Sequence, residues 1–309
     1  MLKKTVLVRA LQVALGASAV AMAVTNPVMA QSNASGNIYG QVETAEGTTV
    51  VVRNTETGLR RVATPEANGR YQVSALPVGR YVVEVMRGGA VVNSAEVDVN
   101  VGQGTNTSFT AASVQSVKVT GRRSRIDISN TNSGATFTAR ELAKLPITPT
   151  VASIIQLAPN TTRGDSRYGD GNAPSFGGSA ASENAFYING FPVTNVLFQV
   201  GASELPFGSI AQAQVLTGGF GAEFGRSTGG VINIQTKSGT NNWEVGGSVS
   251  TEPKSLRSAP KNIYYPNNGS VTDGKLYLYN EDNERSQHIA NVYVGGPIIK
   301  DKLFLFANV

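Results

Sequence analysis

Glu223 and Arg226 are the only charged side chains in the stretch 218–230, GGFGAEFGRSTGG, where six glycines crowd thirteen positions. An acid and a base three residues apart in a glycine-dense loop suggest three chemistries: a phosphate cradle, a dinucleotide fingerprint or an acid–base pair. The spacing excludes the first two. A phosphate loop needs Gly-Lys-Ser/Thr opening a helix; here Gly225 is followed by Arg226-Ser227, and Val231–Thr236 has the β-branched pattern of a strand. A dinucleotide fingerprint needs strand, GxGxxG, then helix, and the run Gly219-Phe220-Gly221-Ala222-Glu223-Phe224 breaks at its last position. For acid–base work there is no nearby histidine and no second carboxylate cluster. Ion pairing is the remaining expectation, since buried charges persist only when paired.

The rest of the composition narrows the chemistry further. Of 309 residues none is cysteine, which excludes disulfides, thiolate metal sites and thiol nucleophiles. His288 is the sole histidine, so neither a histidine metal centre nor a Ser-His-Asp triad is expected. No catalytic, cofactor-binding or metal-binding residue is assigned. The formal charge of +5 includes Lys3, Lys4 and Arg9; without these three it is +2, and no nucleic-acid partner is implied.

Those three cations open a leader. After them, residues 10–24 are almost unbroken apolar sequence, and Val28-Met29-Ala30 has the small-x-small cleavage pattern. Residues 1–30 therefore read as an export signal cut before Gln31. The apolar run is short for a helix that must cross ~30 Å of hydrocarbon. Any membrane role of the mature chain falls to β-structure.

Residues 31–112 read as a small all-β domain. Ala95, Val97, Val99 and Val101 alternate with polar residues, as do Tyr71 and Val73, then Tyr81, Val83 and Val85. Asn68-Gly69 is expected to make a hairpin turn and Pro77-Val78-Gly79 a sharp reversal. Seven or so short strands predict a β-sandwich. The block GRYQVSALPVGRYVVEV, with Gly69, Tyr71, Leu76, Pro77, Gly79 and Tyr81, resembles the carboxypeptidase regulatory-like domain. It carries no histidine, so a structural or docking role is expected in place of peptidase chemistry.

Residues 113–125 form a connector, SVQSVKVTG followed by Arg122, Arg123 and Arg125. It reads either as a solvated linker or as a strand that pairs with the open sheet edge of a partner.

From 126 to 240 the pattern mixes short helices with strands. Thr138 and Glu141 have capping-box spacing, residues 151–158 are apolar with helical spacing, and Asn189-Gly190 joins two short strands. Residues 161–182 form a polar loop too long for a plain connection. The stretches VLTGGFGAEFGRSTGGVINIQTK and FYINGFPVTN together resemble the plug domain of TonB-dependent outer-membrane receptors. That resemblance implies a TonB energy-transducing partner, with Val117, Lys118, Val119 and Thr120 as the candidate contact. It implies loops in 161–182 facing an unknown extracellular ligand. Gly219, Gly221, Glu223, Gly225, Arg226, Gly229 and Gly230 become candidates for packing the plug against a barrel, with Glu223 and Arg226 latching it.

Residues 241–309 alternate as amphipathic strands: Trp243, Val245 and Val249; Ala290, Val292 and Val294; Leu303, Leu305 and Ala307. Such segments suit a barrel wall with one lipid face. GGPIIKDKLFLFAN resembles an early barrel hairpin of Oar-like receptors. A plugged barrel has about 22 strands, far more than the 70 residues after Gly239 supply. The fold expectation is mainly β: a small β-sandwich, then a mixed α+β plug, then the first strands of an incomplete transmembrane β-barrel. The functional expectation is the front part of an outer-membrane receptor for energy-coupled uptake, in contact with lipid when full length and periplasmic if truncated. The alternative is a secreted periplasmic or surface binding module acting through its β-sandwich.

Overall fold

The computed structural model describes residues 33–109, 132–162, 174–197, 199–202, 205–225, 227–256, 258, 261–280 and 286–309. The signal at 1–30 and the connector at 113–125 lie outside them.

Alternating β-branched and polar residues build the first unit. Its strands are β1 (Ser35–Gln41), β2 (Thr48–Asn54), β3 (Arg60–Ala63), β4 (Arg70–Pro77), β5 (Gly79–Arg87), β6 (Ala90–Val99) and β7 (Gly104–Asn106). They form two sheets, ordered β4-β1-β7 and β3-β2-β5-β6. One core is shared between them, from Ile38, Tyr71, Val73 and Leu76 on one side to Val50, Val52, Tyr81, Val83 and Val97 on the other. This is the sandwich the period-two pattern predicts. Its turns differ in one respect. Asn68-Gly69 joins β3 to β4, which lie in different sheets, so it is a crossing turn and not a hairpin. Only Gly69 takes positive φ (+79°), and a Cβ there would sit 2.3 Å from the Val42 carbonyl oxygen. The hairpin turn is Gly88-Gly89 between paired β5 and β6, both glycines left-handed as a two-residue turn requires.

The second unit contains β8 (Ser133–Thr138), α1 (Ala139–Leu142), α2 (Val151–Ile155), β9 (Thr161–Thr162), β10 (Ser175–Phe176), β11 (Ala185–Ile188), β12 (Phe191–Pro192), β13 (Ile210–Gly218) and β14 (Val231–Thr236). The capping box predicted at Thr138 and Glu141 is present: each residue's side chain accepts from the other's backbone N–H. The Asn189-Gly190 turn forms with both residues left-handed (φ +50° and +82°). Five strands make one sheet, ordered β12-β11-β14-β13-β8, in which β11 and β14 run parallel. One face of this sheet is apolar. Phe186, Ala213, Val215, Ile232 and Ile234 pack there against Leu142, Ile154 and Ile155 of the helices. The opposite face is split. Tyr187, Leu216, Phe224 and Val231 cluster at one end, while Gln212, Gln214, Asn233 and Gln235 line the other, all buried.

Strands β15 (Glu244–Glu252), β16 (Ile263–Tyr264), β17 (Leu276–Leu278), β18 (Gln287–Ile299) and β19 (Leu303–Asn308) follow. β15-β18-β19 is an antiparallel sheet, and β16 pairs with β17 in the long β15–β18 connection. Register Val245↔Val294, Val249↔Ala290 and Val294↔Ala307 puts the apolar members of all three strands on one side. No barrel closes among the described residues.

Candidate functional site

The glycine loop divides into two parts. Between β13 and β14, Gly219 is left-handed (φ +69°), and Gly219, Gly221, Glu223 and Gly225 are all exposed. Phe224 anchors this part. Its buried ring meets Tyr187 edge-on at 5.4 Å and Phe220 at 6.4 Å, while the Tyr187 hydroxyl donates to the Gly225 carbonyl at 3.0 Å. Arg226 lies outside the described residues.

Gly229 and Gly230, in contrast, are buried inside the plug itself. A Cβ on Gly230 would lie 2.4 Å from Phe176 Cγ, and one on Gly229 would lie 2.5 Å from both Asn184 Oδ1 and Ser179 Oγ. Asn184 fixes the approach, accepting from Gly230 N–H at 3.0 Å and donating to the Pro174 carbonyl. The Thr228 and Gly229 amides both donate to the Glu183 carbonyl. The loop's end is thereby stitched to 174–184, which takes in the later described part of the polar segment 161–182.

Contacts between plug and wall sheet fall at Gly208 and Gly239, outside the glycine loop. A Cβ on Gly208 would lie 2.0 Å from Asn291 Oδ1, and one on Gly239 would lie 2.2 Å from the Leu305 carbonyl oxygen. Asn291 is buried and exchanges two amide bonds with Asn308, each 3.1 Å. Lys237 Nζ sits 4.9 Å from the Tyr293 ring centroid, and Tyr293 stacks on Phe306 at 5.9 Å. Burial lowers the Lys237 pKa, and the Glu244 carboxylate opposes that shift. Higher up, a cavity of about 170 Å³ separates Pro146–Pro149 of the plug from Ser250, Glu252, Gln287 and Ile289 of the wall. The local signal for these contacts is a glycine flanking a strand, Gly208 ahead of β13 and Gly239 after β14, a common placement in this chain that spacing alone does not select.

The wall's other side is apolar and open. Trp243, Val245, Val249, Val292, Leu303 and Leu305 are all exposed, Val249 by 79%. Side chains of opposite parity on β18 and β19, including Asn291, Tyr293, Phe304 and Phe306, are buried or half-buried. Among the described residues no helix is long and apolar enough to cross a membrane, and no three His, Asp or Glu side chains gather as metal ligands.

A sandwich whose final turn meets a plug-like sheet, with an amphipathic sheet beyond, defines a class. Residues 35–112 match the carboxypeptidase regulatory-like domain and residues 127–231 the TonB-dependent receptor plug domain. The chain carries the N-terminal region of a TonB-dependent receptor. It is similar to the TonB-dependent transporter Oar of Myxococcus xanthus, with 27% identity over 306 residues, 89% of this chain and 28% of that protein. Among solved structures it is similar to the siderophore receptor PirA from Acinetobacter baumannii (20% identity, 57% of this chain, 24% of PirA, TM-score 0.41). It is also similar to the outer membrane transporter YddB from Escherichia coli (20% identity, 57% of this chain, 26% of YddB, TM-score 0.44). The chain spans about a quarter of the length of these relatives.

Proposed function

We propose that this chain is the front part of an outer-membrane transporter for energy-coupled ligand uptake, exported through residues 1–30, in which the plug gates a β-barrel begun by β15, β18 and β19. The observation that carries this reading is the two-sided wall sheet. Val245, Val249, Val292, Leu303 and Leu305 on its outward side are apolar and exposed. On β18 and β19 the opposite side carries Asn291, Tyr293, Phe304 and Phe306, buried or half-buried, with Asn291 and Tyr293 meeting the plug at Gly208 and Lys237. A strand that meets lipid on one side and a polar interior on the other needs that alternation, and a sheet in water gains nothing from it.

Orientation follows from the connections. Barrels of this kind have short periplasmic turns and longer outer loops. The β18–β19 turn is three residues, Lys300–Lys302, whereas the β15–β18 connection runs through β16 and β17. The short turn meets the sandwich, where a Cβ on Gly58 would lie 2.1 Å from Asp301 Oδ1. The sandwich therefore belongs on the periplasmic side and β16–β17 on the outer side. TonB grips Val117, Lys118, Val119 and Thr120 by strand addition. The exposed Gly219, Gly221, Glu223 and Gly225 face wall strands beyond β19, and the latching role extends to Arg226, outside the described residues. The chemistry is transport, with no reaction catalysed.

The test is site-directed disulfide trapping in the periplasm between TonB and the intact receptor that contains this chain. Single cysteines placed in turn at Val117, Lys118, Val119 and Thr120, in a sequence that otherwise has none, should at one or more positions trap a TonB that carries one cysteine of its own. A receptor inserted in the outer membrane that gives no adduct at any of 117–120 refutes the assignment.

A further inference from the structure

Val101 is fully buried, yet it belongs to none of the apolar clusters. Its place is the turn after β6, and what covers it is the polar end of the plug sheet. The Val101 amide donates to Gln212 Oε1 at 3.0 Å, and its carbonyl accepts from Gln214 Nε2 at 3.3 Å. The neighbouring Asn100 Oδ1 accepts from Gln212 Nε2 at 2.8 Å. Behind this layer, Asn233 Nδ2 donates to Gln214 Oε1 and Gln235 Nε2 donates to Asn233 Oδ1. The sandwich's other end of contact is the wall. The Asn241 amide donates to the Glu56 carbonyl at 2.9 Å, while Asn241 and Asp301 exchange bonds of 2.8 and 2.9 Å. Asn33, just before β1, reaches both the Gly190 carbonyl and Asn233.

The sandwich thus straddles plug and wall. The surface it covers on the plug is neither apolar nor charged. It is a row of neutral amides, each satisfied while docked. An apolar row would resist separation from its partner, because water gives nothing back to it. Amides exchange a protein partner for water at a small net cost per bond, so this interface can hold and also let go. Hydrogen-bond geometry fixes one docked position, because a misplaced turn leaves several buried amides unpaired.

We propose that the regulatory-like sandwich is a releasable latch. At rest it clamps the β13–β14 hairpin to the wall turn, and it must undock before the plug can move. The release step rests on the transport reading above; the docking does not.

Thiol reactivity tests both parts separately in the membrane-inserted receptor that contains this chain. Val101→Cys lies in the turn held by Gln212 and Gln214, where undocking should expose it, whereas Val92 in the same sandwich is 53% exposed and its cysteine serves as the reference. In purified protein without TonB, a membrane-impermeant maleimide should label Val101→Cys roughly 100-fold more slowly than Val92→Cys. Gln212→Leu with Gln214→Leu, which alters only the covering face, should raise the Val101→Cys rate about tenfold or more while leaving the Val92→Cys rate unchanged. Equal rates at the two cysteines in the resting protein overturn the docked interface. In energised cells, Val101→Cys should label several-fold faster with TonB than without it. Protection in purified protein combined with the same cellular rate in both strains overturns the latch while leaving the docked interface standing.

Discussion

Substituting Gly230 by alanine adds one methyl group where the plug core is closely packed. That Cβ would lie 2.4, 2.5 and 2.8 Å from three ring atoms of Phe176. The ring cannot swing aside cheaply: Phe176 is 2% exposed, sits in β10 paired with β9, and packs in the main plug core. Nor can Gly230 retreat, because its N–H is held by Asn184 and its carbonyl accepts from the Ala185 amide. Overpacking of this kind costs about 1–3 kcal/mol. Taking ~2 kcal/mol, opening of the neighbouring β14 amides becomes about 30-fold more frequent, at a factor of ten per 1.4 kcal/mol. Hydrogen exchange of the amides in Val231–Thr236 reads this directly. Phe176→Ala removes all three obstructing atoms, so the pair Gly230→Ala, Phe176→Ala should be less destabilised than the sum of its single changes by about 1 kcal/mol or more. Gly225→Ala provides the control, since nothing lies within 4 Å of a Cβ there; its exchange pattern should match the parent. If Gly230→Ala exchanges like the parent protein, or adds independently to Phe176→Ala, then close packing against Phe176 is not why glycine stands at 230.

The remaining expectations concern the other two units and the helix cap. Burial raises the pKa of Tyr71 above the usual phenol value, against a bond to the Thr107 carbonyl, and burial likewise raises that of Tyr81. Both phenols therefore keep their protons in the folded sandwich where the unfolded chain has lost them. The stabilisation is whole below about pH 10 and declines as pH rises above it; urea titrations from pH 8 to 11 should show this, with a shallower decline for Tyr71→Phe. On the wall, Val292→Arg puts a charge on the outward face and should cost ~2–4 kcal/mol near the bilayer midplane. Ser248→Arg, on the opposite parity of β15, should cost far less in the same lipid-folding titration of the intact receptor. Thr138→Ala removes half of the capping box and should destabilise α1 locally by about 1 kcal/mol, seen as faster exchange at the Glu141 and Leu142 amides.

Much of this architecture was readable because period and punctuation agreed. Alternation in 95–99 and 81–85 marked strands with one buried face, although Val101, which continues the first pattern, lies in the turn after β6. Asn189-Gly190 marked a turn that the backbone makes with both residues left-handed. Asn68-Gly69 carries the same kind of signal and does something else, since a dipeptide fixes local φ angles and says nothing of which sheet the next strand joins. The row Gln212, Gln214, Asn233 and Gln235 was illegible for a related reason. Alternation with Ala213, Val215, Ile232 and Ile234 shows that these amides share a face, and an amide face normally meets water. Only the position of a turn over a hundred residues earlier in the chain makes that face an interior.

The glycine loop shows how far residue type can lead without geometry. Density of glycine implies close approach or positive φ, and both occur, but at different places and for different reasons. Gly219 needs its left-handed φ to leave β13, while Gly229 and Gly230 need to lack a side chain because Ser179, Asn184 and Phe176 fill the space. Gly218 and Gly225 meet neither constraint in the described residues, with nothing within 4 Å of a built Cβ and no positive φ. Since Phe224 between them is pinned under Tyr187 and cannot follow a moving loop, these two positions are held at the surface as bare backbone. A surface so fixed suits a close neighbour and not a mobile lid, which favours the wall strands beyond β19 as that neighbour. Substituting Gly218 or Gly225 by valine should therefore leave plug stability alone and impair assembly of the plugged barrel, measured as heat-resistant mobility of the receptor in native gels. Normal assembly with valine at both positions would remove the reason to place a wall against this loop.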